Sequence, residues 1–80
     1  LDTEEKQPAD ASANEKMTAL SFAKVLVANE GRNNRGNRVA FEEALMKQIA
    51  QMPLISKVFS ITSPEIVELI DEEVKRWTSQ

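Results

Sequence analysis

The chain has 80 residues, of which 41% are hydrophobic and 29% are charged, and its formal net charge at pH 7 is −3. It contains neither Cys nor His, which excludes disulfides, thiolate catalysis and sulfur-ligated metals and removes the commonest general base and metal ligand. The longest apolar run is far below the roughly 20 residues that span a bilayer, so we expect one small, soluble, intracellular domain.

The first eleven residues are polar and acidic, include one proline, and carry too little apolar surface to offset the entropy of ordering. We interpret residues 1–11 as a flexible acidic linker and residues 12–80 as a helical interaction domain. Because the chain begins at Leu1 rather than Met, we expect it to be a fragment or a processed product, with a further domain before the linker.

Ser12 and Glu15 have the spacing of a capping box, which predicts that helix 1 begins there. Between residues 17 and 28 the polar positions form only a narrow stripe, made of Thr18, Ser21 and Lys24. A helix with so little polar surface is expected to be buried on most sides. It is either the central helix of a bundle or partly covered by another chain. Asn29 and Gly31 predict its C-terminal end.

Residues 29–38 contain no apolar residue, both glycines of the chain and three arginines, Arg32, Arg35 and Arg38. We interpret this segment as an exposed connection between two helices. Guanidinium groups among Asn and Gly suit phosphate binding, which makes a nucleic-acid site one interpretation. A solvated turn, whose arginines pair with helix 4 or with the negative end of helix 1, is favoured. Three charges release few counterions, and the segment has no aromatic residue on which a base can stack.

Asn37 is a suitable N-cap for helix 2, and Pro53 predicts its end. The apolar face of this helix follows a helical period, with Phe41, Leu45, Ile49 and Met52. Residues 53–61 then form a short apolar stretch that fits a helix of one to two turns beginning at Pro53. A buried strand remains open on the pattern alone, and helix is favoured because no partner strand is visible.

Helix 4 is predicted from Ser63 as N-cap and Pro64 at the first helical position to about Trp77. Its apolar face consists of Ile66, Val67, Ile70, Val74 and Trp77. Its acidic residues are Glu65, Glu68, Asp71, Glu72 and Glu73. A regular helix spreads these carboxylates, so a solvated charged face is favoured over a cation site, and a basic protein partner would fit it. Trp77 is expected to close the core, with an interface anchor as the alternative.

Residues 41–77 contain a succession of apolar and capping positions, namely Leu45, Ile49, Met52-Pro53, Ile55-Ser56-Lys57-Val58, Glu65-Ile66, Val74 and Trp77. This succession resembles the N-terminal helical domain of transcription elongation factors, although the basic helix end of that family is missing here. The acidic start and the terminal segment 63–73 also resemble the C-terminal docking segments of modular polyketide synthases, whose helix 1 is less apolar than this one. Both resemblances imply a helical, non-catalytic protein-docking domain.

We therefore predict an all-α fold, a small bundle of three main helices plus one short helix. The expected function is a non-catalytic protein–protein interaction domain, with a nucleic-acid-binding domain using residues 29–38 as the alternative. The predicted partner is a protein, which includes a second copy of this chain. No cofactor, metal, membrane contact, catalytic residue or small-molecule substrate is predicted. The predicted partner-binding residues are Glu65, Glu68, Asp71, Glu72, Arg32, Arg35, Arg38 and Trp77.

Overall fold

The computed structural model describes residues 13–79, which form four helices. They are α1 (Ala13–Asn33), α2 (Arg38–Ala50), α3 (Pro53–Ser56) and α4 (Pro64–Thr78). No strand occurs within residues 13–79, so the predicted all-α bundle of three main helices and one short helix is confirmed. The predicted linker at residues 1–11 and the predicted cap at Ser12 lie outside the described residues.

Helix α1 is the centre of the bundle, because it packs against α2, α3 and α4. Its buried residues recur every four positions and are small, as Ala19, Ala23 and Val27 illustrate. Small side chains let neighbouring helices approach closely, and larger side chains from the other helices then fill the core. The largest fully buried side chains are Phe41, Leu45, Ile55 and Ile66.

Local sequence signals set the start of three helices. The side chain of Asn37 accepts a hydrogen bond from the backbone N–H of Ala40 at 3.1 Å, as its predicted role as N-cap of α2 requires. Pro53 and Pro64 stand at the starts of α3 and α4, where the missing N–H of proline has no cost. Ser63 is the N-cap of α4 by position, but its hydroxyl accepts from the backbone N–H of Ser60 instead of capping the helix.

The predicted end of helix 1 at Asn29 and Gly31 was wrong. Gly31 lies inside α1 and is buried, and the helix continues to Asn33. Gly31 extends the four-residue repeat of buried positions, so packing against α4 keeps this turn helical. The connection is therefore shorter than predicted and is confined to residues 34–37, where Gly36 has a φ of 85°. A positive φ of this size favours glycine.

Candidate functional site

The half of α1 that points away from the other helices carries large apolar side chains. Met17, Phe22 and Val25 are 65%, 46% and 61% exposed, respectively. An α-helix turns by about 100° per residue, so these three side chains lie on the same side of α1 as Thr18 and Ser21. This side is opposite the buried residues that recur every four positions. We call Met17, Thr18, Ser21, Phe22 and Val25 the outer face of α1. None of these five residues is charged.

The prediction that helix 1 is buried on most sides was therefore wrong within a single chain, although its central position is confirmed. Within residues 13–79, three other helices can cover α1, and one of them, α3, has four residues. All three pack on the side of α1 that carries Ala19, Ala23 and Val27. The opposite side has no covering element among residues 13–79.

The groove between α1 and α4 borders the outer face on one side. This groove has a volume of about 310 Å³, and four of its lining residues are charged: Lys24, Glu72, Glu73 and Arg76. The outer face therefore combines an uncharged centre with a charged margin. A polar rim around an apolar centre is the common arrangement of protein–protein interfaces.

The three arginines predicted as a binding cluster lie on different elements and have different neighbours. Arg32 is in the last turn of α1, where its Nη2 donates to Oδ1 of Asn29 at 2.7 Å. Arg35 is exposed in the turn. Arg38 begins α2 and makes the expected ion pair with helix 4.

Two carboxylates hold the guanidinium of Arg38. Its Nε donates to Glu42 at 2.8 Å, and its Nη2 donates to Asp71 of α4 at 2.9 Å. These hydrogen bonds, to Glu42 first and to Asp71 second, raise the pKa of Arg38 above its ordinary value. Arg38 therefore joins α2 to α4, and both its charge and that of Asp71 are already engaged within the chain.

The acidic residues of α4 have three different surroundings: an exposed side, the contact with Arg38, and, for Glu73, a buried contact with α1. Glu65, Glu68 and Glu72 are exposed and share the outward side of the helix, at spacings of three and four residues. Asp71 is turned towards Arg38. Within residues 13–79, no group of three acidic residues is placed to hold a metal ion.

Glu73 is the charged residue whose position the sequence analysis missed. It was assigned to the solvated acidic face, but it is only 6% exposed and its side chain lies against Gly31. Its Oε1 accepts a hydrogen bond from Nη1 of Arg76 at 2.7 Å. The signal was available in the sequence, because Glu73 follows Ile66 and Ile70 by seven and three residues and thus falls on the apolar face of α4.

Trp77 packs against the core, as the favoured interpretation expected. Its ring lies 5.3 Å from that of Phe41 at an interplanar angle of 59°, a tilted arrangement that favours aromatic pairs. Trp77 is partly buried, and its Nε1 is enclosed without a hydrogen-bond partner in the described part of the chain. Its role as an interface anchor stays a prediction.

Comparisons of the chain with protein families, with curated proteins and with solved structures find no match. The resemblances to elongation-factor and polyketide-synthase docking domains gain no support from these comparisons. Among the helices of residues 13–79, none is long and apolar enough to cross a membrane.

Proposed function

We propose that this helical bundle is a non-catalytic protein–protein interaction domain that serves as a docking or dimerisation module of a larger protein or assembly. One observation carries the proposal. Along much of α1 the large apolar side chains Met17, Phe22 and Val25 point outwards, whereas the fully buried positions hold small residues such as Ala19 and Ala23.

Leu20 and Leu26 of α1 do pack against the core, but the exposure of Met17, Phe22 and Val25 is not what intramolecular packing alone favours. Burying a large apolar side chain stabilises a protein by roughly 1.5–3 kcal/mol, and the outer face of α1 forgoes much of that gain in the isolated chain. Polar residues at these positions would serve the fold equally well, because no other helix in the described part of the chain, residues 13–79, packs on that side of α1. Contact with a second polypeptide would bury this exposed apolar surface and so recover the free energy that the isolated chain forgoes.

The predicted charged sites contribute to this proposal unequally. Glu65, Glu68 and Glu72 remain exposed on α4 and are available to a basic partner. Asp71 and Arg38 bind each other, so we assign them a role in holding α2 to α4. The nucleic-acid alternative is less favoured, because Arg38 is neutralised by carboxylates and the other two arginines offer few phosphate contacts.

Photo-cross-linking in the cells that produce the chain tests the proposal. A photoreactive amino acid is placed at Val25, on the outer face, or at Val39 on α2, which is similarly exposed at 67% and provides the matched control. We expect one defined polypeptide adduct from position 25, lost when Ser21→Glu is also introduced, and none from position 39. Equal cross-linking at the two positions, or no adduct from position 25, would refute the proposal.

A stability control accompanies the cross-linking. Val25→Glu should change the free energy of unfolding by no more than about 0.5 kcal/mol, because surface substitutions away from caps and cores have effects of this size. Val39→Glu should change the free energy of unfolding by a similarly small amount. A cooperative unfolding transition in both variants shows that any loss of binding arises at the surface.

A further inference from the structure

We propose that Met17 is a site of reversible oxidation, and that conversion of its thioether to the sulfoxide by hydrogen peroxide releases the partner from the outer face of α1. The inference rests on the proposed interaction function and specifies how that face is regulated. The three methionines of the chain, Met17, Met46 and Met52, differ in exposure, and Met17 is the one that lies on the outer face.

The oxidation needs a thioether that peroxide can reach. Hydrogen peroxide transfers one oxygen atom to the sulfur, so its O–O bond breaks, an S–O bond forms and water leaves. The sulfur loses two electrons, and the peroxide gains them. Met17 is 65% exposed and Met46 is 50% exposed, whereas Met52 is partly buried against the core. Met17 and Met46 are therefore open to peroxide, and the packing around Met52 protects it until the chain opens.

The position of Met17 makes its oxidation relevant to binding. Met17, Ser21 and Val25 are four residues apart in turn, so they are neighbours along one side of α1. Met17 and Val25 are separated by about 12 Å of helix rise. A standard interface covers roughly 800 Å² on each partner, which corresponds to a disc of about 16 Å radius. A partner centred on Val25 therefore covers Met17, whereas Met46 lies on α2, which packs on the buried side of α1.

Oxidation of Met17 changes the surface and leaves the fold intact. The sulfoxide oxygen is a polar acceptor, and it loses its hydration when an apolar partner covers it without supplying a donor. Binding should therefore weaken at least about fivefold. In the isolated chain the same oxygen stays in water, because the side chain is exposed, so the unfolding midpoint should not change. Methionine sulfoxide reductases restore the thioether, which makes the change reversible.

Peptide mass spectrometry of the purified 80-residue chain measures which methionine reacts. The chain is treated with hydrogen peroxide in the native state and in urea, where the unfolded chain gives the rate of each methionine without packing. We expect native Met17 and Met46 to react nearly as fast as in urea, and native Met52 to react much more slowly. A native Met17 that is oxidised as slowly as Met52 overturns the inference.

Photo-cross-linking from position 25 measures the effect on binding in cells. Brief exposure to hydrogen peroxide should lower the yield of the adduct in the native chain and in Met46→Leu. The yield should persist in Met17→Leu, which keeps an apolar side chain without sulfur. This comparison separates oxidation of Met17 from oxidation of the partner, because a damaged partner would be lost from all three chains. Equal loss in the three chains, or no loss in the native chain, overturns the inference.

Met17→Gln tests the same point without peroxide, because its amide places a polar carbonyl near the position of the sulfoxide oxygen. It should lower the yield of the adduct from position 25, whereas Met46→Gln should not, and both variants should unfold in urea near the native midpoint. An adduct that Met17→Gln leaves unchanged overturns the regulation and leaves the interaction function standing. A native chain that gives no adduct even without peroxide overturns the interaction function itself.

Discussion

The contact between Gly31 and Glu73 gives the sharpest test of how α1 and α4 pack. A Cβ atom added at Gly31 would overlap Cγ, Cδ and Oε2 of Glu73. Because Gly31 lies within α1, alanine should also favour the helix there, by up to about 1 kcal/mol. Gly31→Ala therefore combines a gain in helix propensity with a steric cost in the same substitution.

The steric cost should exceed the gain in the native chain. Glu73 is buried and bonded to Arg76, so its side chain can move away from Gly31 only by giving up this packed position and its contact with Arg76. Forcing extra atoms into a packed contact costs typically about 1–3 kcal/mol, which predicts a net loss of up to about 2 kcal/mol for Gly31→Ala. In a Glu73→Ala background the obstructing atoms are gone, and the same substitution should stabilise the chain by up to about 1 kcal/mol.

The four chains to compare are the native chain, Gly31→Ala, Glu73→Ala and the double variant. Urea denaturation, followed by far-UV circular dichroism and Trp77 fluorescence, measures whether Gly31→Ala lowers or raises the free energy of unfolding in each background. Gly36→Ala serves as the control. It meets no atom within 4 Å but has a positive φ, so it should cost about 1–2 kcal/mol equally in both backgrounds. If Gly31→Ala stabilises the native chain as much as the Glu73→Ala chain, the packing argument is refuted.

Substitutions at three further positions test the elements that hold the bundle together. Asn37→Ala should destabilise the chain by about 1 kcal/mol in urea unfolding, since the Ala40 N–H loses its acceptor, whereas Asn37→Ser should retain most of the stability. Phe41→Ala should cost about 3–5 kcal/mol, seen as lost cooperative thermal unfolding, because this fully buried ring is at the centre of the core; a cooperative transition near the native midpoint would contradict its placement. Arg38→Ala should have a smaller effect than Asn37→Ala, and one that disappears at high salt, because its pairing with Asp71 is exposed.

The starts of the helices could be predicted because their causes are local. Asn37, Pro53 and Pro64 act through their own side chains on the nearest backbone groups, so sequence alone places α2, α3 and α4 to within a residue or two. The helical period of α2 likewise indicates its buried side. Fold class follows from these signals, since three main helices in a short chain leave few other arrangements.

The end of α1 could not be predicted from the same rules, because its cause is tertiary. Glycine near the end of an apolar stretch usually terminates a helix, yet Gly31 is held inside α1 by its fit against Glu73. The two misassignments have one origin. Taken separately, Gly31 has the pattern of a helix terminator and Glu73 that of a surface acid. Their actual positions depend on the packing of α1 against α4, which places the two residues in contact.

The outer face of α1 shows a different limit of sequence reasoning. Its apolar composition indicated that helix 1 needed cover, but composition does not say which half of the helix remains open. That depends on α3 being a single turn and on α2 and α4 packing on one side. Ala19 and Ala23 lie inside, whereas Phe22 and Val25 lie outside, and Leu20 and Leu26 are partly buried against the core. The fold therefore uses small residues of α1 for close approach and leaves some of its large apolar side chains exposed. A helix with this division supports its own bundle on one side and leaves large apolar side chains exposed on the other, and this exposed surface is the observation on which the proposed interaction function rests.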